Sequence, residues 1–132
     1  MLSRSILLHS VEPNDALQKL AERFSVPKDS QYCWDGEGRA ERFSSAQSSI
    51  GYGRAGGDFS LAVDVYLLET TEEELRTHFL ELSRQSVTIA LPDETSESPF
   101  DYLIYRDGNE TRAEVVELDG KFTVWKEKVL SR

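Results

Sequence analysis

The sequence predicts an α+β fold: two helices packed on one face of a mainly antiparallel sheet that ends in a C-terminal three-stranded meander. Three observations predict it. Two segments repeat apolar residues at helical spacing, positions 60–68 alternate as a strand does, and three further alternating runs near the C-terminus are joined by turn sequences. At 132 residues the chain has the length of one domain, expected to cover 1–132 and to bury about two-thirds of its unfolded surface without staples.

The elements follow in order. Positions 5–11 read as a short strand. Pro13, with Asn14 or Asp15 as cap, opens a helix whose buried stripe is Leu17, Leu20, Ala21 and Phe24, and Pro27 marks its end. Positions 28–58 hold six glycines in 31 residues and read mostly as loop, with short strands at 39–44 and 48–52. In 60–68, Leu61, Val63, Val65 and Leu67 line one face, while Ala62, Asp64, Tyr66 and Leu68 line the other. Thr71 with Glu74 forms a capping-box pattern, and Leu75, Phe79 and Leu82 give the second helix its stripe to about Arg84. Positions 87–91 form an apolar strand. The alternating runs 100–106, 112–118 and 121–125 then fold back on one another at Asp107-Gly108-Asn109-Glu110 and Asp119-Gly120.

Charge is unevenly distributed along this framework. The chain carries −9 overall, but positions 69–119 hold fourteen carboxylates against four arginines, a local net of −10. A regional imbalance of this kind makes a surface field that attracts basic partners. It also repels a phosphate backbone, so direct nucleic-acid binding is not expected. No apolar run approaches the ~20 residues that cross a bilayer, and Ile6, Leu7 and Leu8 fall short of a secretory signal's apolar core. A lone Cys33 suits a reducing compartment, and a cytoplasmic location with no membrane association is expected.

Apparent chemical motifs lack their mechanisms. Gly51-Tyr52-Gly53-Arg54-Ala55-Gly56 matches G-x-G-x-x-G, but a strand follows it where a dinucleotide site requires a helix N-terminus. Cys33, His9 and His78 are too few for a zinc site, and the carboxylates at 93–101 lack a calcium-loop frame. His78 sits beside the stripe of the second helix and reads as an edge-of-core ring. Cys33, between Tyr32 and Trp34, reads as a half-buried structural thiol. No catalytic residue, metal or cofactor is assigned.

Several carboxylates have local reasons to exist. Glu72, Glu73 and Glu74 favour the helix N-terminus, and Asp107 and Asp119 suit turns. Asp93, Glu94, Glu97 and Asp101, with Glu110, Glu114 and Glu117 on or beside the meander, show no such demand, and Tyr102, Tyr105 and Trp125 lie on the same strands. Asp93, Glu94, Glu97, Asp101, Tyr102 and Tyr105 form the expected partner-binding set, with aromatic anchors and acidic steering. The function expected is a small acidic module that occludes a basic protein, such as a toxin or a nucleic-acid-acting enzyme, in the manner of an immunity protein or inhibitor. The alternative is a small ligand-binding or catalytic domain with a pocket near 51–57.

Overall fold

The computed structural model describes residues 2–33 and 48–129, the last four as backbone alone. The elements are β1 (Leu2–His9), α1 (Pro13–Arg23), β2 (Gln31–Cys33), β3 (Ser49–Arg54), β4 (Gly56–Gly57) and β5 (Leu61–Leu67). They continue as α2 (Glu72–Leu82), β6 (Thr88–Pro92), β7 (Asp101–Arg106), β8 (Asn109–Leu118) and β9 (Lys121–Val129). Among the described residues the architecture is α+β, with two α-helices and one open sheet of nine strands in the order β2-β3-β5-β1-β6-β7-β8-β9-β4. All neighbours are antiparallel except β2–β3 and β4–β9. The strand expected at 39–44 lies outside the described residues.

Each helix has a local cause. Pro13 is the first helical residue of α1, where its missing N–H costs nothing and its fixed φ already suits a helix. The N-cap is therefore Glu12, without a side-chain cap bond, rather than Asn14 or Asp15. The helix ends earlier than Pro27. Ser25 turns left-handed at φ 54°, and Ser25 and Val26 donate to the carbonyls of Glu22 and Ala21. This is a Schellman turn built on serine instead of glycine. For α2 the capping box forms: Glu74 N–H donates to Thr71 Oγ1 at 3.2 Å, and Thr71 N–H donates to Glu74 Oε1 at 3.3 Å.

Both helices join one core. Leu17, Leu20 and Ala21 of α1 and Leu75, Phe79 and Leu82 of α2 cluster with Ile6 and Leu8 of β1, the alternate residues Leu61, Val63, Val65 and Leu67 of β5, and Tyr105 of β7. A second, smaller core comprises Leu7, Ala90, Ile104, Ala113 and Val115 around Phe59. Leu7 alternates with Ile6 and Leu8, and Ile104 with Leu103 and Tyr105, so the two cores lie on opposite faces of the sheet. The central strands β1, β6 and β7 each have three consecutive buried residues because both of their faces are covered there.

The second core is enclosed by a contact between the sheet's far edge and the β3–β5 connection. Gly56 and Gly57 pair with Lys121 and Phe122, Asp58 N–H donates to Phe122 O at 2.7 Å, and Val124 N–H donates to Asp58 Oδ2 at 2.8 Å. Gly57 adopts φ +78°, and a Cβ there would lie 2.3 Å from Phe122 O. Only glycine fits such an approach. The G-x-G-x-x-G stretch thus supplies β3 and part of this latch, with strand β5 after it and no helix N-terminus.

Candidate binding surface

The six sequence-selected residues do not share one surface. Asp93 is buried: its Oδ1 accepts from the Thr95 backbone at 3.1 Å and hydroxyl at 2.6 Å, and its Oδ2 meets Arg112 Nη2 at 2.7 Å. Burial opposes its ionisation, but the Thr95 hydrogen bonds and the Arg112 guanidinium outweigh that and hold its carboxyl below the ordinary value. The expectation that this position lacks a structural demand is thereby corrected, since Asp93 organises its own turn. Glu94 lies 3.2 Å from Arg4 Nη2, which also meets Glu72 at 2.7 Å. Asp101 accepts from the Ser96 hydroxyl, and Glu97 is exposed.

The tyrosines separate by alternation along β7. Tyr105 is fully buried in the larger core, with its ring edge-on to Phe79 at 6.0 Å, so that ring has no area to offer a partner. Tyr102 points to the other face, half-buried against the second core. Burial pushes its phenol above the ordinary value, and nearby Glu117 adds to the shift.

Sequence reasoning missed a polar cluster where α2 meets β8. Arg76 Nε donates to Tyr105 Oη at 3.1 Å, and Arg76 Nη2 meets Glu110 Oε2 at 3.0 Å. Burial pushes the Tyr105 phenol far above its usual range, with its hydrogen bond to Glu110 adding to the effect, so it stays protonated. The Tyr105 and Glu110 bonds likewise keep Arg76 charged, against the effect of burial. A groove of ≈ 410 Å³ opens over this cluster, lined by Glu72, Glu73, Arg76, Thr77, Leu80 and Glu110. The cross-strand pair Tyr105 and Glu110 was the available signal: an acid opposite a tyrosine on the core face of a hairpin needs a cation.

From Glu110 the same face of β8 continues through Arg112, Glu114, Val116 and Leu118. Residues paired across strands share a face, which adds Asp101 and Trp125 beside Glu114, Thr123 beside Val116, and Lys121 beside Leu118. Leu118 is 73% exposed and Trp125 57% exposed. This part of the sheet's helix-bearing face bears large apolar side chains in water, in contrast to the same face of β5.

The remaining candidates have structural partners. Arg23 Nε donates to His78 Nδ1 at 2.7 Å, Arg23 pairs with Glu81, and Phe24 packs edge-on against the His78 ring at 4.9 Å. Ser60 Oγ lies 3.0 Å from His9 Nδ1, and Cys33, at the exposed end of β2, is not half-buried as its aromatic neighbours in sequence led one to expect. No group of three or more His, Cys, Asp or Glu among the described residues is placed to hold a metal ion. Of residues 51–57, Tyr52 alone lines a larger groove, ≈ 680 Å³ along α1. No helix among the described residues is long and apolar enough to cross a membrane.

No protein-family model matches the chain, and neither a curated protein nor a solved structure matches it.

Proposed function

We propose that the chain is a small acidic binding module that occludes a basic protein, in the manner of an immunity protein or inhibitor. One observation carries the reading: Trp125 and Leu118 stand exposed on a strand face that also bears Asp101 and Glu114. An exposed indole beside carboxylates suits an interface, because the aromatic supplies contact area and the acids steer a cationic partner. The net of −10 over 69–119 provides the long-range part of that steering. Glu97 and Glu117, both exposed, are among the charges that make it, whereas Asp93 acts inside its own turn.

The test is recovery of partners from native cell extract on the immobilised full chain at low and high salt, followed by association kinetics with any protein recovered. A basic protein retained at low salt, with an association rate that falls at least ten-fold between 50 and 500 mM salt, is the expected outcome. Retention of acidic or neutral proteins only, or a rate indifferent to salt, would remove the reading.

A further inference from the structure

We infer that the ledge running from the α2–β8 groove along β8 and β9 to Leu118 receives an extended segment of that basic partner, with a lysine or arginine seated in the groove and apolar side chains against Trp125 and Val116. The inference rests on the function proposed above and adds the place and the chemistry of contact.

The ledge is polar at one end and apolar toward the other. At the groove end stand Glu72, Glu73 and Glu110, with Leu80 and Thr77 between them. Glu110 has only 7% of its side chain exposed and is held by Arg76, so one wall of the groove is a fixed carboxylate. Arg4 pairs with Glu72 as well as Glu94, and Arg76 pairs with Glu110, while the Glu73 carboxylate joins them in the groove's lining. A lysine or arginine suits such a site because its methylene stem covers apolar floor while its head reaches a carboxylate at the rim. At the other end Lys121 lies beside Leu118, and Arg112, paired with Asp93, stands between the two ends, so the groove is where a cation of the occupant belongs and a carboxylate suits the Lys121 end.

Size decides between a peptide segment and a second copy. From Glu110 to Leu118 the ledge spans about 27 Å, and two strands plus the flank of α2 make it roughly 15 Å wide. That is on the order of 400 Å², half of the ~800 Å² per partner in a stable protein interface. A second copy of this chain would find too little area here, whereas about eight residues of extended chain fit its length.

The probe is a nine-residue peptide with two lysines at one end, leucine at alternate middle positions and one glutamate at the other end, made in both chain directions. It is titrated into the ¹⁵N-labelled full chain, with a counterpart that has glutamates in place of the lysines. Expected are shifts of the Trp125 indole N–H and of amides in Glu110–Leu118 and Glu73–Leu80. Affinity should fall at least ten-fold in Glu73→Gln/Glu114→Gln, in Trp125→Ala, and for the charge-reversed peptide, while amides remote from the ledge keep their positions. Absence of binding up to millimolar peptide in both directions, shifts centred on another surface, or equal affinity for the reversed peptide would overturn the assignment. The two proposals can fail separately. A basic protein from the extract that binds the ledge variants as well as the parent removes the ledge and leaves the occluding role, whereas ledge binding of the peptide without any basic protein in the extract removes the role.

Discussion

On β5 the buried side chains face the helices, and on β8 they face the other way. Leu61, Val63, Val65 and Leu67 lie under α1 and α2, whereas Thr111, Ala113 and Val115 are the buried positions of β8, with Arg112 and Leu118 of the alternate set in water. The sheet exchanges its covered face between these two strands, through β1, β6 and β7, where both faces are covered. Among the described residues the exchange has a plain cause: two helices of eleven residues reach across only part of a nine-stranded sheet, and beyond them cover comes from the opposite side, from Phe59 and the latch at Gly57. On the helix side of that change stand Trp125, 57% exposed, and Leu118, 73% exposed.

The largest expected effect tests the helix-covered half. Phe79 is fully buried and touches Phe24 and Tyr105 edge-on, so Phe79→Ala should cost about 3–5 kcal/mol in urea unfolding. Val115→Ala in the smaller core should cost less, about 1–3 kcal/mol, because two methyl groups are lost rather than a whole phenyl ring. Equal costs would mean that the two faces are equally important to stability, and the contrast between them would collapse.

Much of the helix-covered half was legible in the sequence, and the latch was not. The stripes of α1 and α2, the capping box and the alternation of 60–68 are local signals, and each lies where its periodicity places it. Alternation on β7 says that Tyr102 and Tyr105 face opposite ways, but only the position of α2 says which of them is buried. The demand on Asp93 was half legible, since Asp93-Glu94-Thr95 is a sequence suited to an aspartate-led turn, while its partner Arg112 lies nineteen positions away. Gly57 was opaque because its constraint comes from Phe122, 65 residues on.

That constraint gives the second prediction. Gly57 and Gly120 have nearly the same φ, +78° and +76°, but a Cβ at Gly57 meets the Phe122 backbone while one at Gly120 meets nothing within 4 Å. Gly120→Ala should therefore show the conformational cost alone, about 1 kcal/mol, and Gly57→Ala that cost plus displacement of the latch, about 2–4 kcal/mol. Hydrogen exchange sharpens the contrast: Gly57→Ala should expose amides of β9 and leave those of β5 protected. If both variants lost the same stability, the latch would not be what encloses the second core.

The smallest effect concerns the polar clasp between the helices, and it separates the helix layer from the bare strands by pH. His78 accepts a hydrogen bond from Arg23 through Nδ1, so the folded state requires that nitrogen unprotonated. Burial lowers the ring's proton affinity, the Arg23 charge lowers it further, and Glu74 opposes them without prevailing. The groups facing it are Arg23 and Phe24 from the end of α1 and Glu74 from its own helix, with Glu81 reaching it through Arg23. A base whose folded value lies below the unfolded one is bound by more protons in the unfolded chain, so its contribution is full above the usual value of about 6.5 and declines as pH falls through that value to the folded one. Acidification from pH 7.5 toward 5 should thus lower Tm by a few degrees and loosen amides of α1 and α2 before those of β8. In His78→Asn the amide oxygen takes the place of Nδ1 and accepts from Arg23 without titrating, and the difference in Tm slope between the two proteins isolates the histidine from the many carboxylates. Identical slopes would show that the Arg23 contact tolerates a protonated ring and that the clasp has no part in holding the helix layer.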